Sequence, residues 1–87
     1  MLELEQLIAI GRMVHYVLPA GLARASSVGE HRPAVIVRVH QDDSDLVNLQ
    51  VFTDGAGDGL QLTSGLCQRT RVRYDPDGAQ NTWHWIE

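Results

Sequence analysis

The chain has 87 residues, 44% of them hydrophobic, and a formal net charge of −4 with histidine neutral. That length allows one domain around one small core. The acidic balance argues against a general nucleic-acid binder, which carries a basic surplus, but leaves room for a local basic site. The single cysteine, Cys67, excludes an internal disulfide and a cysteine-based metal knuckle, and suits a reducing compartment.

In chain order, "MLELEQLIAI" places Leu4, Leu7 and Ile8 at helical spacing, and Gly11 supplies a stop. Residues 1–10 therefore read as a short helical extension, and residues 11–87 as a single small β domain. No basic region precedes a long apolar run, so no secretory signal is expected. The apolar runs are too short to cross a bilayer. The expected location is the cytoplasm.

"RMVHYVL" (Arg12–Leu18) alternates as a strand, with Val14, Tyr16 and Leu18 on one face and Met13, His15 and Val17 on the other. Pro19–Glu30 has the small residues and glycines of a loop. "RPAVIVRVHQ" (Arg32–Gln41) is the second strand, with Pro33 tolerated at its start. Val35, Val37 and Val39 are expected to face the core, and Arg38 and His40 to face outward. "LVNLQVFT" (Leu46–Thr53) repeats the pattern with Val47, Leu49 and Val51 inward. "DGAGDG" (Asp54–Gly59) is a loop that lacks the ligand spacing of a calcium-binding hand. "CQRTRVRY" (Cys67–Tyr74) and "TWHWIE" (Thr82–Glu87) complete five strands with no βαβ pattern. The expected fold is mainly β, a small SH3-like antiparallel barrel of about five strands with a short N-terminal helix.

The chemistry-bearing residues form no catalytic constellation in sequence. The four histidines, His15, His31, His40 and His84, show no metal-binding spacing, so no metal site is expected unless the fold assembles one. No glycine-rich phosphate cradle leads into a helix, and no serine sits in a nucleophile elbow. Arg69, Arg71 and Arg73 alternate and so are expected to share a strand face. Such a stripe is either a solvated face balanced by nearby carboxylates or an anion site, because arginine offers a planar bidentate fork. Trp83 and Trp85 share a face. They serve either as core or as stacking groups for a base. His84, on the opposite face, is expected to be solvated.

The segments "GRMVHYVLPAG", "GEHRPAVIVRV", "VNLQVFTDG" and "NTWHWIE" together resemble a family of small bacteriophage proteins that runs from a G-R-x-V-H-Y start to a T-W-H-W end. That resemblance implies a phage or prophage origin and no particular activity. Locally, "GEHRPAVIV" is similar to the start of the second strand in the growth-inhibitor barrel family of toxin endoribonucleases. There, an arginine of the motif and a threonine closing the third strand serve RNA cleavage. By position these are Arg32 and Thr53 here. The chain departs from the toxins in its length, its acidic balance, the lack of a long C-terminal helix, and Asp54 directly after Thr53.

Together these readings point to a non-enzymatic, phage-encoded binding protein without a cofactor. It is expected to act as a counter-defence protein in the host cytoplasm, sequestering a nucleotide signal or a defence protein, and to self-associate. The expected ligand groups are Tyr16, His31, Arg32, Arg38, Thr53, Arg69, Arg71, Arg73 and Trp85. Arg32 has a plainer alternative, which is to pin the preceding loop through a carboxylate such as Glu30. The competing functions are a virion component, such as a capsid decoration or head–tail protein, and a toxin-like endoribonuclease.

Overall fold

A computed structural model describes residues 8–43 and 45–86. These residues form five strands: β1 (Met13–Val17), β2 (His31–Val39), β3 (Val47–Phe52), β4 (Leu66–Tyr74) and β5 (Thr82–Trp85). Short 3-10 turns lie at Ala25–Ser27, Gly55–Gly57 and Leu60–Leu62. Each expected strand forms, with slightly different ends. Of the expected N-terminal helix, residues 1–7 lie outside the described residues, and residues 8–10 are not helical. Among the described residues, no helix is long and apolar enough to cross a membrane.

The strands close into a barrel in the order β1-β2-β3-β4-β5, with β5 pairing back onto β1. Four of the neighbouring pairs are antiparallel, and β4–β5 is parallel. The wholly antiparallel expectation therefore needs correction, and the reason is parity. An odd number of strands that alternate in direction cannot close without one parallel seam. Here the seam is confined to Arg73↔Thr82 and Tyr74↔Trp83.

The core is the inward phase of each strand. Val14 and Tyr16 come from β1, Val47, Leu49 and Val51 from β3, Val72 from β4, and Trp83 from β5, all buried. The Trp83 indole N–H donates to the Asp45 carbonyl at 3.0 Å, which satisfies its polar edge inside the core.

In β2 the expected phase is reversed. Ala34 and Ile36 are fully buried, whereas Val37 is 41% exposed. Both phases of this strand are apolar, so alternation alone cannot choose between them. Pairing chooses: Ile36 lies opposite Leu49, and Ala34 opposite Val51. A bulge between Ile36 and Arg38 then brings Val39 back against the core.

A second bulge breaks the expected arginine stripe. Arg71 has φ 51°, and the register slips between Leu49↔Arg69 and Val47↔Val72. Arg69 therefore stays in the half-buried phase with Cys67, while Arg71 and Arg73 point outward.

Candidate functional site

The lip of β2 is built around Arg32. Its Nε and Nη2 donate to the two carboxylate oxygens of Asp58 at 2.7 and 2.6 Å. Its Nη1 donates to the His31 carbonyl at 2.9 Å and to Glu30 at 3.3 Å. Asp58 is 1% exposed and also accepts the Asp54 backbone N–H at 2.7 Å. The hydrogen bonds from Arg32 hold the Asp58 carboxyl down at about 2, and the same bonds raise the guanidinium. Arg32 thus pins chiefly the loop after β3, and the preceding loop named by its plainer reading only through the longer Glu30 contact. The main partner is Asp58 of "DGAGDG", with Glu30 second.

Thr53 belongs to the same arrangement. Its hydroxyl donates to the Leu62 carbonyl at 3.2 Å and accepts the Gly55 N–H at 3.2 Å. Gly59 completes the loop's seat. Its φ is 156°, and a side chain there would press within 3.3 Å of the Arg24 nitrogen and the Leu22 oxygen. Both residues implied by the toxin resemblance are therefore tied into the fold of one loop.

The other expected ligand groups separate. Tyr16 is fully buried, so its ring offers no stacking face. Its hydroxyl donates to Asn81 Oδ1 and accepts from Arg69 Nε at 3.0 Å, while burial pushes the phenol pKa up. Trp85 is half-buried, set edge-on to Trp83, with the Arg12 guanidinium 5.1 Å above its ring. Arg73 meets Asp43 at 3.2 Å and Asp45 at 3.4 Å. The Arg73 hydrogen bond lowers the Asp43 carboxyl, whereas desolvation raises that of Asp45.

Two of the expected arginines do converge, around Asn48 on the outer face. Asn48 Oδ1 accepts the Arg71 backbone N–H at 2.9 Å and bonds His40 Nε2 at 2.8 Å. His40 Nδ1 in turn lies 3.3 Å from Arg71 Nη1. The tautomer with hydrogen on Nε2 satisfies both contacts. Arg38 lies directly opposite Asn48 across β2–β3, exposed. Arg71 also pairs with Asp42 at 3.5 Å.

A different cluster was not legible from spacing. His15 of β1 pairs with His84 of β5, and His31 starts the strand on the other side of β1. All three occupy outward positions, and Pro76, Asp77 and Gly78 line the cleft of about 290 Å³ that they form. The ligand nitrogens of the three imidazoles lie within 4.8 Å of one another. His84 is 6% exposed, against the expectation that it is solvated. Pro76, Asp77 and Gly78 of the preceding turn share the cleft with His84, which alternation within β5 does not reveal. The signal that was present is positional: each histidine sits in a separate segment, "VHY", "EHRP" and "WHW".

Comparison with protein-family models, with curated proteins and with solved structures finds no match to the chain.

Proposed function

We propose that the chain is a non-enzymatic binding protein of phage origin, an SH3-like barrel that sequesters a phosphate-bearing nucleotide signal of its host. The observation that carries this reading is the Asn48 face. There, Arg38 and His40, at and just after the end of β2, and Arg71 of β4 place basic groups on either side of Asn48 in β3. The Arg38 side chain makes no hydrogen bond or ion pair among the described residues, and it is exposed. The Arg71–Asp42 pair is long at 3.5 Å and exposed on both sides, so an incoming phosphate can compete for it. The commitment of Arg32 and Thr53 to their loop supports binding over RNA cleavage.

Calorimetry against cyclic di- and trinucleotides tests the reading. Arg38→Ala and Arg71→Ala should each weaken binding roughly tenfold to a hundredfold, the cost of one charge-assisted contact. Arg73→Ala should leave affinity unchanged, because Asp43 and Asp45 already answer that charge. Absence of binding to every nucleotide, or binding that survives the Arg38→Ala/Arg71→Ala double variant, overturns it. RNA cleavage by the purified protein that disappears in Arg32→Ala would establish the endoribonuclease reading instead.

A second reading, a self-assembling virion component, draws on one feature. Phe52 and Leu66 face each other across β3–β4, 42% and 46% exposed. An exposed apolar cross-strand pair suits contact with another copy. A solution mass that grows into large symmetric assemblies, and reverts to monomer in Phe52→Ser/Leu66→Ser, supports it. A monomer at all concentrations removes it.

A further inference from the structure

We propose that His15, His31 and His84 form a binding site for a divalent first-row transition ion of the zinc class. The site lies on the outer face where β5 and β2 flank β1.

The geometry is a consequence of register. His15 and His84 are direct partners across β1–β5, which puts their side chains on the same outer face. Val17 pairs with His31 and His15 with Pro33, so His31 sits diagonally across from His15 on that same face. The three rings pack edge-on, with centroids 4.6, 5.5 and 5.8 Å apart. Zinc binds imidazole nitrogen at about 2.0–2.1 Å, so tetrahedral ligands stand about 3.3 Å from one another. Nitrogens already within 4.8 Å need to close by at most about 1.5 Å, within reach of small side-chain rotations.

The donor set selects the ion. Three imidazoles without a thiolate suit zinc, cobalt, nickel or copper, and are a poor match for calcium or magnesium, which take oxygen. Asp77 lines the same cleft and offers a fourth oxygen ligand or an acceptor for a metal-bound water. The turn leaves room for this. Gly78 has φ 79°, and a side chain at that position would lie 3.7 Å from His31 Nε2. That distance is an ordinary van der Waals contact, so the turn lies directly beside the ligand nitrogen, and the positive φ is what favours glycine there.

The ion would tie β1, β2 and β5 together beside the Pro76–Gly78 turn. It would bind the folded chain and not the unfolded one, so it would stabilise the barrel by mass action. This inference is independent of the Asn48 face, which shares no residue with it.

Cobalt(II) titration of the chelator-treated protein tests it, read by the visible absorption of a tetrahedral cobalt centre and by thermal melting. The expected result is saturation at one ion per chain, a rise in Tm with added cobalt, and displacement by zinc. His31 is exposed and at the end of its strand, so His31→Ala should fold normally and lose more than about a hundredfold in affinity. His40→Ala, distant from the cleft on the Asn48 face, should bind cobalt as the parent does. A chain that takes up no cobalt, or one in which His31→Ala binds as tightly as the parent, overturns the proposal. So does loss of the absorption band in His40→Ala.

Discussion

Arg32 and Asp58, 26 positions apart in the chain, meet through two short hydrogen bonds that fix the loop after β3 against the start of β2. The pair has one nearly buried member and one mostly buried member, with side-chain exposures of 1% and 19%. Removing either partner leaves the other without its counter-charge in a place water reaches poorly. Asp58→Ala should therefore cost about 2–4 kcal/mol in urea unfolding. Arg32→Ala should cost a comparable amount, and the double variant clearly less than the sum. Strict additivity would show that the two side chains do not stabilise the fold through each other.

The same pair sets an acid response. Asp58 titrates near 2 in the fold against an ordinary 3.8, so the unfolded chain binds its proton first. Its contribution is complete above about pH 4 and is lost as pH falls through about 2. The shift corresponds to about 2 kcal/mol. Stability of the parent should fall across that window. In Asp58→Asn, which has no proton to bind there, the slope should be visibly flatter. Parallel pH profiles for the two proteins would rule out Asp58 as the source.

The register of β2 gives a contrast between adjacent residues. Ile36 is fully buried opposite Leu49, and Val37 is exposed at the bulge. Ile36→Asp should abolish folding, because an unpaired carboxylate would have to enter the core. Val37→Asp should melt within a few degrees of the parent, as surface substitutions do. Circular dichroism on the two variants decides the phase. The opposite ranking would restore the valine-inward strand.

That contrast also shows what the sequence made legible. β3 alternates valine and leucine with asparagine and glutamine, so its inward face was readable without ambiguity, and the structure keeps it. In β2 both faces are apolar, and only the partner strand could choose. In β4 the arginine alternation was plain, but a left-handed Arg71 resets the phase, and no local signal marks a non-glycine residue for that conformation. The parallel seam was implicit in an odd strand count, but the antiparallel expectation did not draw it. The histidine cleft was hidden because its members come from three strands, and ligand spacing along a chain reports only sites built within one element or one turn.

Asn81 carries the last expectation. It has φ 63°, its N–H donates to the Val17 carbonyl at 2.9 Å, and its side chain accepts the buried Tyr16 hydroxyl. Two roles, backbone and side chain, are therefore combined in one residue and can be separated by substitution. Asn81→Gly keeps the backbone role and removes only the acceptor, which should cost about 1 kcal/mol. Tyr16→Phe removes the same bond from the other side. It also takes the acceptor from Arg69, which remains near water, so its cost should be similar. Asn81→Val adds a β-branched residue at positive φ and should cost a further 1–3 kcal/mol or so. Urea unfolding of the three variants should rank Asn81→Val well below the other two. Equal losses for Asn81→Val and Asn81→Gly would mean that the turn before β5 relaxes, and that the left-handed conformation at Asn81 is not required to bring β5 onto β1.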